Sequence, residues 1–120
     1  MIRIHLPFPP SVNSAYANGG NKRGRHKTAT YLSWLQEAST QIKAGMRQNI
    51  GHYSLHICLE RPDKRQRDLG NYEKCVSDFL VMHGVVRDDH LCERLTMTWG
   101  ENLPAPCVVI VQTAEEGLAA

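Results

Sequence analysis

The chain has 120 residues, of which 42% are apolar and 22% charged, a balance that fits one globular domain with its own core and excludes a disordered tail. Fourteen Lys and Arg against twelve Asp and Glu leave a formal charge of +2, which permits a polyanionic partner without demanding one. No window approaches about eighteen consecutive apolar residues, so no membrane-spanning helix is expected. The opening MIRIHLPFPP has no apolar core followed by a small-residue cleavage site, so no secretory leader is expected either.

In chain order, Ile2 to Leu6 reads as a short strand stopped by PFPPS, because proline cannot donate to a sheet ladder. Asn18 to Lys27, NGGNKRGRHK, combines glycines with clustered cations and is expected to be a mobile basic loop. From Ala29 to Asn49, Tyr31, Leu35, Ala38, Ile42 and Met46 recur at helical spacing, which predicts one long amphipathic helix ended by Gly51. HYSLHICLE then alternates, with Tyr53, Leu55, Ile57 and Leu59 on one side, the pattern of a half-buried strand.

After the basic loop Arg61–Arg67, a second helix is expected over Leu69–His83. Tyr72, Cys75, Val76, Phe79 and Leu80 form its apolar face, and Gly84 stands where a left-handed cap belongs. Two further strands follow, Leu91–Trp99 and Cys107–Thr113, joined by the turn-forming GENLPAP. The tail AEEGLAA is expected to fray. The order β-α-β-α-β-β makes an α+β single domain over residues 1–120: a mixed sheet, two helices packed on one face, and the last pair of strands antiparallel.

Four cysteines, Cys58, Cys75, Cys92 and Cys107, are widely spaced with no C-x-x-C. That spacing argues against a zinc knuckle and for buried free thiols in a reducing cytosol. The six histidines make no H-E-x-x-H pattern, and the chain has no phosphate loop, dinucleotide fingerprint or nucleophile elbow.

The chemistry-bearing candidates are acidic and basic. Asp68, just before the second helix, suits an N-cap, yet a carboxylate has a second oxygen for a cation. Asp88 and Asp89 lie between that helix and the next strand; they read as solvated turn residues unless the fold brings them to the helix start, where separated carboxylates can converge on a hard cation. Lys74 and Asp78 are four apart and read as a surface ion pair. Lys74 also lies near position 70, where it could offset phosphate charge. The runs KRGRHK and RPDKRQR match what a phosphate backbone rewards through counterion release.

Taken together, PFPPSVN, RGRHK, PDKRQRDLGNYEK and GVVRDDHL resemble, in this order and over almost the whole length, the RusA family of Holliday-junction resolvases, small endonucleases carried by phages and prophages. The resemblance implies a homodimer acting in the cytoplasm on branched DNA, with Mg²⁺ or Mn²⁺ and one active site for each of two symmetric cuts. Carried over, the family's metal-binding aspartates fall on Asp68 and Asp89 and its catalytic lysine on Lys74, while Asn71 matches the motif asparagine. Lys22, Arg23, Arg25, Lys27, Lys64, Arg65 and Arg67 would hold the junction arms by phosphate contacts.

The family's motif is D-L-D-N, and here it reads DLGN, with Gly70 in place of the second carboxylate. Either Glu73 or Asp88 completes the metal shell, or water fills the gap, or the chain binds junctions without efficient cleavage. A rival from another class, a protein-interaction module, requires the basic loops to be incidental and predicts no salt-dependent DNA binding.

Overall fold

The computed structural model describes residues 1–18 and 24–119; Lys22 and Arg23 lie outside them. Strand β1 (Ile2–Leu6) buries Ile2, Ile4 and Leu6 and exposes Arg3 and His5. A one-turn helix α1 (Val12–Ala15) is capped by Ser11, whose Oγ accepts from Ser14 N at 3.2 Å. Next come β2 (Tyr16–Asn18), β3 (Arg25–Lys27), α2 (Ala29–Ser39), β4 (Tyr53–Glu60), α3 (Glu73–Met82), β5 (Cys92–Gly100), β6 (Cys107–Thr113) and α4 (Ala114–Ala119). The expected α+β class, with a mixed sheet and helices packed against it, is what the chain adopts.

The main sheet has the order β1-β6-β4-β5. Helices α2 and α3 cover one face through Tyr31, Trp34, Ala38, Cys75, Val76, Phe79 and Leu80, which close on Ile4, Leu6, Tyr53, Leu55, Ile57, Leu59, Val109 and Val111. Trp34 stacks edge-on against Phe79 at 5.4 Å, and its Nε1 donates to the Pro7 carbonyl at 3.0 Å. The indole therefore packs without leaving a buried donor unpaired.

Several expectations need correction. The final two strands do not pair with each other. β4 lies between them, parallel to β5 and antiparallel to β6, because the apolar β4 is buried most fully when strands cover both of its edges. The chain from β5 to β6 crosses the end of β4, held there by Leu103 N to Glu60 Oε1 at 2.8 Å and Glu60 N to the Pro106 carbonyl at 3.0 Å.

Helix α2 ends at Ser39, ten residues before the expected Asn49. The Ser39 and Thr40 hydroxyls donate back to the Gln36 and Glu37 carbonyls at 2.8 and 2.7 Å, competing for acceptors that the next turn needs. Gln41 and Ile42 then donate to carbonyls three residues back, and after a short 3₁₀ turn at Ala44–Met46 Ile42 and Met46 still pack on the core. The second helix opens with a 3₁₀ turn, Leu69–Tyr72, before α3 begins. Its end is as expected. Gly84 has φ +71°, with Gly84 N on the Val81 carbonyl and Val85 N on the Leu80 carbonyl, the paired bonds of a left-handed cap.

Part of the basic loop is ordered as a hairpin. β2 pairs with β3 in the register Tyr16↔Lys27, Ala17↔His26, Asn18↔Arg25. The tail does not fray but folds as α4, whose start is a reciprocal cap: Glu116 N donates to Thr113 Oγ1 at 3.2 Å and Thr113 N to Glu116 Oε1 at 3.0 Å. Gly117 is buried against Ser54, where a Cβ would come within 2.1 Å of the Ser54 hydroxyl oxygen. Only glycine permits that approach.

Candidate active site

A cleft of about 320 Å³ lies between α3 and the start of β5, lined by Glu73, Ser77, Asp89, Cys92, Glu93 and Leu95. Glu73 is the first residue of α3, where a carboxylate suits the positive end of the helix dipole. It accepts a short hydrogen bond from the Ser77 hydroxyl one turn on. Asp89 begins the 3₁₀ turn Asp89–Leu91, which delivers the chain into β5 at Cys92. Three carboxylates thus line one solvent-open space; Glu93 is paired with His52 Nδ1 at 2.9 Å, while Glu73 and Asp89 come from segments far apart in sequence.

The other acidic candidates are placed differently. Asp68 is exposed at the N-cap position of the turn Leu69–Tyr72, but its side chain makes no capping bond; only its carbonyl is engaged, by Asn71 N at 3.1 Å. Its carboxylate does not line the cleft. Asp88 is turned to its own loop, accepting from His90 N at 3.5 Å and pairing with His90 Nδ1 at 3.3 Å. Gly70 is exposed, and a Cβ there would meet nothing within 4 Å.

Lys74 follows Glu73 on α3, and its Nζ lies 3.0 Å from Asp78 Oδ1. That hydrogen bond raises the lysine pKa against the opposing effect of burial, and the Asp78 and Asp89 charges add to the rise. The ammonium is therefore charged throughout the neutral range. Cys92 has its thiol pushed up by burial, so it faces the cleft as a neutral, soft group with little to offer a hard cation.

The basic residues divide into two groups. Arg25 and Lys27 are exposed on β3, beside α3, because Tyr16 of the partner strand reaches Asp78 at 3.3 Å. The Arg61–Arg67 loop instead follows the far end of β4. Arg61 stacks on Trp99, 4.4 Å from the ring centroid, about 23 Å along β5 from Cys92 at the usual strand rise. Lys64 is exposed. Arg65 and Arg67 both bond Asp63, and Arg67 also donates to Tyr72 Oη at 3.1 Å with its guanidinium over Phe8. Asn71 is half-buried in the turn that starts the helix.

Sequence reasoning did not single out Tyr16, Ser77 or Tyr53. Ser77 carried a signal, since it stands one helical turn from Glu73. Tyr53 opens β4 opposite Cys92; its hydroxyl is buried and without a partner among the described residues. Burial first, then Cys92, Asp89 and Glu73, push its pKa well above the usual phenol value.

Residues 7–111 match the family described as Endodeoxyribonuclease RusA. The chain belongs to that family. It is 36% identical over 90 residues to the crossover junction endodeoxyribonuclease RusA of Escherichia coli K12, covering 72% of each chain, and equally so to the protein of that name from Enterobacteria phage 82. To the Enterobacteria phage HK97 protein it is 27% identical over 100 residues, 82% of each chain. Family membership makes the chain a nuclease by descent, and the cleft lined by Glu73, Asp89 and Glu93 is the candidate for its active site. Among the described residues no helix is long and apolar enough to cross a membrane.

Proposed function

We propose that this chain resolves four-way DNA junctions by paired phosphodiester cuts, as a homodimer in the cytoplasm of a bacterium or a phage-infected host, with Mg²⁺ or Mn²⁺. The observation that carries the reading is the meeting of Glu73 and Asp89 across one open cleft with Lys74 next along the helix, in a chain of the RusA family.

Among the described residues no three His, Cys, Asp or Glu side chains form a ready-made cation cage. Two carboxylates nevertheless fit Mg²⁺, which takes one or two from the protein and completes its shell with water and substrate phosphate oxygens. Glu73 and Asp89 would hold the ion, with Asp68, exposed and uncapped ahead of the turn Leu69–Tyr72, as the further carboxylate of the set. The ion would supply a Lewis acid and a lowered water pKa at the scissile phosphate. Glu73, held by Ser77, takes the part of the carboxylate that Gly70 lacks; Asp88, turned to His90, is the weaker substitute. Lys74 places a fixed positive charge where negative charge develops in the transition state. Arg25, Lys27, Lys64 and Arg65 hold phosphates and so position the junction without reading its sequence.

The second reading is a junction-binding protein that cleaves poorly. Gly70 favours it, because that position has no side chain with which to bind a cation. Cleavage of fixed and mobile synthetic junctions with and without Mg²⁺ separates the two. Symmetric nicks that need the metal support the nuclease, and tight salt-dependent binding with no product supports the binder.

A further inference from the structure

We infer that Asp78 is a positioning residue for Lys74, and that Tyr16 anchors Asp78 to the basic hairpin, so that the lysine beside the acidic cleft and the phosphate-facing strand β3 form one mechanical unit. The inference rests on the nuclease reading for its catalytic meaning but not for its geometry. An isolated Lys–Asp pair at i,i+4 on a helix surface is weak, and its lysine keeps most of its rotamer freedom. This pair is not isolated. Asp78 Oδ1 takes Lys74 Nζ at 3.0 Å, while Asp78 Oδ2 takes the Tyr16 hydroxyl at 3.3 Å, from a residue 62 positions away. With both oxygens engaged, the carboxylate cannot rotate away without breaking a bond. The Asp78 side chain is 25% exposed against 50% for Lys74, so the anchor is the more enclosed of the two.

Tyr16 is itself fixed from several sides. Its ring packs edge-on against the buried Tyr31 at 5.4 Å, and the Arg25 guanidinium lies 5.3 Å from its centroid. In the hairpin Tyr16 stands opposite Lys27. A chain of contacts therefore runs from the exposed cations of β3 through Tyr16 and Asp78 to Lys74. Holding a charged side chain in place before substrate arrives removes the cost of ordering it during reaction, which is how a residue that never touches substrate raises a rate.

The test has two arms. In the DNA-free protein, ¹³C relaxation gives the order parameter of the Lys74 ε-methylene. It should be high in the wild type, fall to that of exposed Lys64 in Asp78→Asn, and fall part of the way in Tyr16→Phe. In single-turnover cleavage of a fixed junction with Mg²⁺, Asp78→Asn should slow the chemical step by about tenfold or more with junction affinity unchanged, and Asp78→Glu should recover part of the loss. Introduced into a Lys74→Met background, Asp78→Asn should have no further effect. A Lys74 that stays rigid in Asp78→Asn overturns the proposal, and so does a rate loss of the same size in the Lys74→Met background. If the wild type does not cleave at any Mg²⁺ concentration, the nuclease reading fails, and the relaxation arm alone still decides whether Asp78 and Tyr16 hold Lys74.

Discussion

Arg67 Nη2 lies 2.8 Å from Asp63 Oδ2, and the same oxygen also takes Arg65 Nη2 at 3.0 Å. One aspartate thus organises two arginines of the loop that the sequence offers to DNA. The two differ in availability: the Arg65 side chain is 79% exposed and Arg67 only 21%. Arg65 can exchange Asp63 for a phosphate, whereas Arg67 is a strut between Asp63, Tyr72 and Phe8.

Asp63→Asn should therefore release Arg65 and strengthen junction binding at low salt. The slope of log affinity against log salt should steepen by about one, the amount for one added phosphate contact. Titration of a labelled junction at several salt concentrations measures it. A weaker complex with an unchanged slope would mean that Asp63 serves DNA only by shaping the loop.

The same carboxylate gives a pH prediction. Hydrogen bonds from Arg67 and then Arg65 hold Asp63 well below the usual carboxylate range. A folded-state pKa below the unfolded one gives stability that is present above about pH 4 and lost as pH falls through the acid range. Asp63→Asn should thus flatten the acid limb of Tm against pH, with its effect above pH 5 independent of pH. Differential scanning calorimetry from pH 2 to 7 checks this.

Asp68 makes no side-chain cap, so Asp68→Asn should change stability by no more than about 0.5 kcal/mol, as for an ordinary surface position. Cleavage should collapse while junction binding persists, because asparagine cannot supply the negative charge that a cation needs. Full cleavage by the variant would remove Asp68 from the metal shell.

Gly70 has open space around it and no left-handed backbone, so Gly70→Asp introduces a carboxylate without strain and replaces a poor helix former. It should lower the Mg²⁺ concentration needed for half-maximal cleavage. Glu73→Gln should abolish cleavage in the natural background and be tolerated once Asp stands at 70, a non-additivity that a double-mutant cycle reads directly. Strictly additive effects would show that the two positions do not share one role.

Phe79 is fully buried between Trp34 and His83. Phe79→Ala should lower stability by about 3–5 kcal/mol, the range for deleting a core aromatic, out of a total of about 5–15 kcal/mol. Urea unfolding measures the loss, and a shift of less than 1 kcal/mol would mean that the helix–helix seam can repack.

Local pattern carried much of this molecule. Alternation in HYSLHICLE, the continuous run at Cys107–Thr113, the stripe through Tyr72, Val76 and Phe79, and Gly84 as a left-handed cap are short-range signals, and each element formed where its period placed it. The family, too, was legible in the order of four short motifs. The start of α4 is also a local signal: Thr113 and Glu116 have the spacing of a capping box.

What no local pattern could decide were partners distant in sequence. Strand β4 could have paired with either later strand; it took both, one on each edge, since only a central position buries it fully. The length of α2 turned on whether the Ser39 and Thr40 hydroxyls would take the Gln36 and Glu37 carbonyls, a near balance that periodicity does not report. That Glu73 rather than Asp88 shares a cleft with Asp89, and that Asp78 is held by a tyrosine 62 residues away, depends on how α3 lies across β5 and beside the hairpin. Those contacts link segments that lie far apart in the chain, and packing alone brings them together.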